Sequence, residues 1–262
     1  MQTGSGDGTV GKALDVLDQV AAFGRPVRFS EVLEESRFPK ATLYRLLQAL
    51  TRQGMLRFDA DTGTYSPGIR LMRMAHAAWA QTSLAPIARP HIDALSAAVG
   101  ETVHLAQLDG GHVLYVDKRN AARPIEMYSG AGKIGPVYCT GVGKAMLAFL
   151  PEAERADVMA RQSWHRFTPA TITAAAEMDR ELAAIREGGV AYDREEHEPG
   201  IHCIALPVRG VGGRVEGAVS ITSHVSRASL SDLTAWLPRL RDCVEKMERD
   251  LRDWRFPDRE ED

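Results

Sequence analysis

A stripe of leucines in the first quarter of the chain limits its possible folds more than any other feature. Leu43, Leu46, Leu47 and Leu50 recur at spacings of three and four, which places them on one side of a helix. Pro39 is predicted to be the first residue of this helix, because proline has a fixed φ and no amide to leave unpaired. The intervening residues are mostly polar, so we expect one helix face in a core and the other turned outward.

The segments before and after this helix are predicted to form two further helices and a hairpin. Ser30 is predicted to cap a short preceding helix, since its hydroxyl can accept hydrogen bonds from the free amides of the first turn. Residues 56–66 form two β-type runs around an Asp/Gly turn, which predicts a hairpin. An amphipathic helix over residues 10–21 supplies the rest of a small core. This order is that of a winged helix-turn-helix, whose second helix fits the major groove of DNA.

The distribution of charge supports this interpretation locally. Residues 1–68 contain eight Lys and Arg and eight Asp and Glu, yet five cations and no acid lie between Arg37 and Phe58. Such a surface can neutralise phosphates and release counterions. The alternative is that this basic stretch is a solvated helix face without a binding role. The neighbouring helix and hairpin favour DNA binding instead. The predicted DNA-binding residues are Arg37, Lys40, Ala41, Thr42, Tyr44, Arg45, Arg52, Arg57 and Thr64.

The length, net charge and cysteine content of the whole chain limit its fold and function further. Its 262 residues suit two domains, and its net charge of −3 gives no general attraction to nucleic acid, so binding must be confined to one patch. Three cysteines without a repeated spacing favour a reduced, cytoplasmic protein. The sequence has neither an apolar run of about 18 residues nor a signal-peptide pattern, so neither membrane insertion nor export is expected.

The expected domain order starts with a disordered tail over residues 1–8 and a winged helix-turn-helix over residues 9–68. A helix over residues 69–83 follows, with Ile69, Met72, Ala75 or His76, and Trp79 along one side. A helix this short is marginal in water, so it must pack on a second copy or on its own C-terminal domain. A two-fold dimer would present two recognition helices to a palindromic site.

The remainder, residues 84–255 and a tail over 256–262, alternates between helices and strands. Asp109-Gly110-Gly111 predicts a hairpin turn between strands 102–108 and 112–117. An antiparallel hairpin followed by mixed elements indicates an α+β or mixed α/β sheet with helices outside. The other predicted elements are helices 87–99, 143–150, 177–187 and 230–254, and strands 125–129, 190–193, 202–208 and 215–222.

Three segments carry a resemblance to a known family, namely Pro39–Leu47, Thr140–Ala148 and Asp193–Val208. The chain resembles the IclR family of bacterial transcriptional regulators from about Val10 to Leu251. The resemblance implies a winged helix-turn-helix, a linker helix and a C-terminal GAF-like effector-binding domain. It also implies homodimers, often paired as homotetramers, that bind double-stranded operator DNA under the control of a small metabolite, with no catalytic activity or cofactor.

The resemblance further implies a pocket on the C-terminal sheet for a small organic or aromatic acid. Gly141 and Gly143 would leave backbone amides open at a helix start, which suits an anion. Ser220 and Thr222 alternate along one strand, so both hydroxyls face the same side. For each residue taken singly, the alternative is an ordinary structural role in a strand or loop. The predicted effector-binding residues are Met127, Tyr128, Thr140, Gly141, Val142, Asp193, Cys203, Ser220 and Thr222.

Two departures from the family pattern limit what can be transferred. Ala41 stands where many relatives carry serine, which removes one possible phosphate contact. The stretch Pro136-Val137-Tyr138-Cys139 replaces a more usual histidine-containing loop, so the effector of no relative is assigned to this chain. A pocket without an obvious arginine favours a small, weakly charged or partly neutral ligand, such as a short aldehyde acid or hydroxy acid.

Other chemistries are less well supported by the sequence. Gly143-Lys144 lacks the first glycine and the final Ser/Thr of a P-loop, and no Gly-x-Ser-x-Gly motif occurs. His197, His202 and Cys203, with Cys139, lack the paired spacing of structural zinc sites. We therefore predict a regulator, with repression preferred to activation because repression needs only operator occupancy. A small-acid-binding module, or an enzyme whose winged helix contacts protein, is the alternative.

Overall fold

The computed structural model describes residues 8–82, 84–124 and 126–253, and the chain divides into two compact units after Thr82. The predicted tails over residues 1–8 and 256–262 lie outside the described residues, except Gly8, where the first helix begins.

The first unit is a winged helix-turn-helix, as predicted. Its strands form an antiparallel sheet in the order β1-β3-β2. The four leucines of the stripe are buried on α3 and pack with Val16 and Val20 of α1. The elements are α1 (Gly8–Ala22), β1 (Val27–Arg28), α2 (Phe29–Glu35), α3 (Lys40–Arg52), β2 (Leu56–Asp59), β3 (Thr64–Pro67) and α4 (Ile69–Thr82).

Two helix starts differ from the sequence prediction. The assignment of Ser30 as a cap is wrong, because α2 already begins at Phe29 and Ser30 lies inside it. The side chain of Glu31 closes the helix start instead, accepting a hydrogen bond of 2.7 Å from the backbone amide of Arg28. Helix α3 begins at Lys40, and Pro39 is the residue that precedes it.

The second unit contains a six-stranded antiparallel sheet in the order β6-β5-β4-β9-β8-β7. A 3₁₀ turn at Val211–Gly213 separates the two longest strands. The elements are α5 (Ala85–Val99), β4 (Thr102–Asp109), β5 (His112–Arg119), β6 (Ile134–Gly135), α6 (Gly141–Ala148), α7 (Glu152–Ala160), α8 (Ala175–Gly188), β7 (Ala191–Arg194), β8 (Ile201–Arg209), β9 (Val215–His224), α9 (Leu230–Ala235) and α10 (Leu237–Asp253).

Three features of this unit depart from the sequence prediction. The strand predicted over residues 125–129 is wrong for residues 126–129, because β6 occupies the edge of β5 by pairing with Val113 and Leu114; residue 125 lies outside the described residues. Helix α7 was not predicted. The single helix predicted over residues 230–254 is two helices separated at Trp236, since Pro238 has no amide to continue the first one.

The two faces of the sheet carry different helices. Helices α5 and α10 pack on one face, and α6 packs on the other, where α8 covers it. Ala106, Ala205 and Ala218 face α6 and are fully buried. These small side chains let the helix approach closely, and all eight residues of α6 are buried, including Lys144. The start of α6 is thereby held against the polar end of the sheet.

Candidate functional site

The outward face of α3 carries the first group of predicted site residues. Lys40, Ala41, Tyr44 and Arg45 are exposed above the buried leucines, and Thr42 is half-buried between them. We refer to these five residues as the recognition face. A face that combines ammonium, guanidinium, phenol, hydroxyl and methyl groups can contact both phosphates and base edges.

An aromatic groove lies between the recognition face and the wing. Tyr44 is 53 % exposed, and its ring meets Phe29 edge-on, with ring centroids 6.1 Å apart. The rings of Phe58 and Tyr65 lie 4.8 Å apart on the two wing strands. The groove has a volume of about 600 Å³ and is lined by Phe29, Lys40, Ala41, Tyr44, Phe58, Gly63 and Tyr65. Phe29 and Phe58 were not among the predicted site residues, although aromatic residues close in sequence to a basic helix were a usable signal.

The remaining predicted DNA contacts lie at other places on the first unit. Arg37 forms an ion pair with Asp15 of α1, so part of its charge is already compensated. Arg52, in the last turn of α3, and Arg57, on β2, are exposed. Thr64 begins β3, and its hydroxyl lies 2.7 Å from that of Thr62.

Seven of the nine residues in the second predicted group line a partly open cavity of about 30 Å³ at the start of α6. We call it the α6 cavity. Met127 and Tyr128 lie outside its wall: Met127 is buried, with its sulfur 4.0 Å from the Ser129 hydroxyl, and Tyr128 is exposed. The lining residues are His104, Tyr115, Ser129, Thr140, Gly141, Val142, Asp193, His197, Glu198, Ile201, Cys203, Ser220 and Thr222.

A buried histidine organises the hydroxyl groups of the cavity. The Nδ1 atom of His104 lies 3.2 Å from Thr222 Oγ1 and 3.3 Å from Ser220 Oγ, and its Nε2 atom lies 2.8 Å from Ser129 Oγ. Burial, reinforced by the charge of Lys118, lowers the pKa of His104 to about 3. The imidazole is therefore neutral at pH 7, with one nitrogen donating and the other accepting.

A carboxyl group faces the histidine cluster from the neighbouring strands. The Oδ1 atom of Asp193 accepts a hydrogen bond of 2.8 Å from the backbone amide of Glu196. Burial, with the charge of Glu196 adding to it, raises the pKa of Asp193 to about 8. Asp193 is opposite Cys203 in the β7–β8 register, and burial raises the pKa of that thiol, so Cys203 remains protonated.

A buried lysine lies directly behind Asp193. The Nζ atom of Lys144 donates to Glu196 Oε1 at 2.6 Å and to Glu181 Oε1 at 2.8 Å, and its side chain has no exposed surface. Glu181 also accepts from Arg194 at 3.2 Å. Both carboxylates that hold Lys144 thus belong to a closed network, and the ammonium group is not directed at the cavity.

The start of α6 forms the opposite wall. The Thr140 hydroxyl caps the helix by accepting from the Gly143 amide at 3.3 Å, and it donates to the Pro136 carbonyl at 2.8 Å. A Cβ atom on Gly141 would overlap the sulfur of Cys203, so this position requires glycine for close approach. The first backbone amides of the helix therefore lie at the cavity wall, where they suit a negatively charged group.

A contact between two loops lies at the wall of the cavity. The carboxylate of Glu198 accepts from the backbone amide of Tyr128, with both oxygens 3.0 Å from the nitrogen. The Tyr128 ring meets His197 edge-on at 5.3 Å. The prediction missed six lining residues, which strand pairing and the two loops bring to the cavity: His104 on β4, Tyr115 on β5, Ile201 at the start of β8, and Ser129, His197 and Glu198 in the loops.

The structure also bears on the metal and membrane alternatives. Within residues 8–82, 84–124 and 126–253, no group of three or more His, Cys, Asp or Glu side chains is arranged to hold a metal ion. His202 and Cys203 are adjacent on β8, so their side chains point to opposite faces of the sheet. The helices in the same ranges include none that is long and apolar enough to span a membrane.

Comparison with known proteins places both units in one family. The IclR helix-turn-helix domain matches residues 9–60, and the C-terminal domain of bacterial IclR transcriptional regulators matches residues 76–249. The chain is 30% identical to the HTH-type transcriptional regulator XynR of Escherichia coli (strain K12) over 243 residues, which cover 93% of this chain and 96% of XynR.

Solved structures agree with this relationship. The Thermotoga maritima IclR is 30% identical, with a TM-score of 0.78 over 93% of this chain and 98% of that one. An IclR homologue of Microbacterium hydrocarbonoxydans, solved in complex with 4-hydroxybenzoate, shares the fold with a TM-score of 0.82 at 23% identity, covering 94% of this chain and 100% of the homologue. Because two family domains match in order and the relatives align over almost their full lengths, the chain belongs to the IclR family of ligand-responsive, DNA-binding transcriptional regulators, not to an enzyme family.

Proposed function

We propose that this protein is a cytoplasmic repressor of a catabolic operon, and that a small organic acid bound in the α6 cavity alters its affinity for a palindromic operator. The observation that carries the proposal is the cavity itself. It is a partly open space built from five strands, a helix start and two loops, and histidine, aspartate and hydroxyl groups line it.

The recognition face is proposed to enter the major groove. Lys40, Thr42, Tyr44 and Arg45 would contact base edges, and the methyl group of Ala41 suits the methyl group of a thymine. Arg52, Arg57 and Thr64 would hold the sugar-phosphate backbone on either side. Arg37 would do the same after giving up part of its interaction with Asp15.

The α6 cavity is proposed to bind the acid through two kinds of group. The amides at the start of α6 and the carboxyl group of Asp193 suit the carboxylate end, while the hydroxyls of Ser220 and Thr222 suit a hydroxyl or carbonyl oxygen. Thr140, Val142 and Cys203 would complete the wall. Met127 and Tyr128 would act through the loop whose Tyr128 amide donates to Glu198 in the cavity wall.

Helix α4 is proposed to join two copies of the chain. Ile69 is 76 % exposed and Met72 is 68 % exposed, and the two lie one turn apart on the same side of the helix. The Trp79 side chain of the predicted stripe lies outside the described part of the structure. Covering this apolar side in a homodimer, or in a tetramer of two dimers, would remove it from water and pair the recognition helices.

The proposal is tested by fluorescence anisotropy with DNA from upstream of the protein's own gene, at two salt concentrations and with a panel of small organic acids. Selective binding that weakens with salt, and that one acid changes, is the expected result. A promoter–reporter assay with and without the gene distinguishes repression from activation. Binding that is equally strong for unrelated DNA, or that no acid alters, would contradict the proposal.

A further inference from the structure

The aromatic groove beside the recognition face is lined almost entirely by apolar groups. Four aromatic rings, the methyl group of Ala41 and the backbone of Gly63 form its wall, and Lys40 is the one charged residue of the described lining. Tyr44 is 53 % exposed and Phe58 is 43 % exposed, so both rings present apolar surface to water. An exposed apolar surface of this kind marks a place where a partner with an apolar group binds.

The rings of the groove are held in place by one another. Tyr65 is 3 % exposed and belongs to the core of the first unit. Phe58 is opposite Tyr65 in the β2–β3 register and packs on its ring, and Phe29 meets the ring of Tyr44 edge-on. The groove is therefore a preformed hollow that can receive a group, and its packed rings are not placed to insert between base pairs as a wedge.

The charges around the groove select nucleic acid as its partner. Lys40 lies in its wall, and Arg45 and Arg57 are exposed on the adjoining helix and strand. Residues 37–58 contain no acidic residue. In the wing turn, the carboxylate of Asp59 accepts hydrogen bonds from two backbone amides of the same turn. An anionic polymer gains from these cations as it approaches, whereas an uncharged apolar segment does not.

DNA presents one apolar group at the base edges of its major groove. That group is the C5 methyl of thymine, since the other edges carry hydrogen-bond donors and acceptors. The aromatic groove adjoins the recognition face through Ala41 and Tyr44, so a duplex read by this face brings its base edges to the groove. With a volume of about 600 Å³, the groove has room for the methyl group and for part of the sugar beside it.

We propose that the aromatic groove receives the methyl group of a thymine in each half-site of the operator. Ala41, Tyr44 and Phe58 then determine a preference for thymine at that position, because they remove its methyl group from water. Lys40 binds a neighbouring phosphate. This inference rests on the proposed entry of the recognition face into the major groove.

The test replaces each thymine of the operator by deoxyuridine, which removes only the methyl group, and measures the affinity of the full-length protein by fluorescence anisotropy. At one position in each half-site, we expect the affinity to fall about fourfold, as for the loss of one buried methyl group. Replacement of the same base pair by C·G should also weaken binding. A 5-methylcytosine at that position should then recover about fourfold in affinity relative to cytosine, because it restores the methyl group.

Phe58→Ala is the decisive variant, because it removes one wall of the groove at an exposed position. The loss of affinity caused by deoxyuridine should shrink from about fourfold to less than about twofold, since the methyl group then stays in contact with water. Tyr44→Ala opens the groove from the side of α3 and should have the same effect. Phe58→Leu keeps an apolar wall and should retain most of the loss.

Val211→Ala is the control variant. Val211 is 74 % exposed in the turn between β8 and β9 of the second unit, so its substitution removes an exposed apolar side chain far from the groove in sequence. This variant should keep both the affinity for the operator and the full loss caused by deoxyuridine. Thermal unfolding checks that each variant is folded.

Three results would overturn the inference. If the protein binds its operator selectively but no deoxyuridine substitution weakens binding, DNA binding stands and the groove faces a different partner. If the loss caused by deoxyuridine persists in full in both Phe58→Ala and Tyr44→Ala, the methyl group is read elsewhere on the protein. If the protein shows no selective DNA binding at all, the inference and the proposed function both fail.

Discussion

The recognition face and the α6 cavity are built in opposite ways. The recognition face comes from a single helix, so residues close in sequence share one exposed surface above a buried leucine stripe. The cavity comes from β4, β5, β7, β8, β9, α6 and two loops, so residues more than a hundred positions apart become neighbours, as His104 and Ser220 do. Contacts of the first kind are fixed by helical periodicity, and contacts of the second kind are fixed by strand register.

This difference predicts where substitutions affect stability and where they affect only binding. The cavity is surrounded by buried charges and close packing, so changes there should destabilise the second unit. The recognition face is exposed to solvent, so changes there should leave folding intact and weaken DNA binding. Five substitutions test this difference, beginning with the one expected to have the largest effect at neutral pH.

The largest effect is expected for Lys144→Met. Removal of the ammonium group leaves Glu181 and Glu196 without their buried cation, which should lower the free energy of unfolding by about 3–5 kcal/mol. Urea unfolding measures the change. Lys246→Met is the matched control: its pair with Asp242 is exposed on α10 and should contribute less than about 1 kcal/mol. Equal effects of the two substitutions would contradict the account of the buried network.

Gly141→Ala tests the close approach of α6 to the sheet. The added methyl group would overlap the Cys203 sulfur, so the free energy of unfolding should fall by about 1–3 kcal/mol and acid binding should weaken. Gly188→Ala, at the end of α8, has open space around its Cβ and should be neutral or stabilising by up to about 1 kcal/mol. A Gly141→Ala protein of unchanged stability would show that the helix is less tightly packed.

Arg45→Ala and Arg57→Ala test the recognition face and the wing. Neither guanidinium is buried, so both variants should unfold within about 0.5 kcal/mol of the wild type. Arg45→Ala should cost about 1–3 kcal/mol of operator binding and relax the preference at one base pair, whereas Arg57→Ala should weaken all sequences alike and reduce the salt dependence by about one counterion. Arg214→Ala, exposed on the second unit, is the control. If neither Arg45→Ala nor Arg57→Ala reduces the affinity for the operator, the assignment of these residues as DNA contacts is refuted.

The effect that is smallest at neutral pH, and grows on acidification, concerns His104. Burial lowers the pKa of His104 to about 3, so the unfolded chain binds a proton more readily than the folded chain between about pH 6.5 and about pH 3. The stability that neutral His104 allows is therefore present above about pH 6.5 and is lost as the pH falls, by about 1.4 kcal/mol per unit. His104→Gln cannot titrate, so its stability relative to the wild type should rise on acidification. If the free energies of unfolding of the two proteins changed with pH in the same way, this contribution of His104 to the pH dependence would be excluded.

The same contrast explains what the sequence could reveal. The leucine spacing placed the start of α3 within one residue, because i, i+3 and i+4 contacts are local. The capping of α2 was misassigned, since Ser30 and Glu31 both suit a first turn and only the chain geometry distinguishes them. The β4–β9 pairing that brings His104 to Ser220 left no local signal. The predicted strand was wrong over residues 126–129 for a related reason, because a different segment occupies the edge of β5.

The most direct test of the account is the reciprocity between the two regions. The affinity of the preferred acid is measured by calorimetry with and without saturating operator DNA, and the affinity for the operator is measured by anisotropy with and without the acid. The account predicts that both affinities change by the same factor, about 5- to 150-fold, because coupling between two sites is reciprocal. If the acid binds but neither changes the affinity for the operator nor has its own affinity changed by the operator, the claim that the α6 cavity controls the recognition face is contradicted.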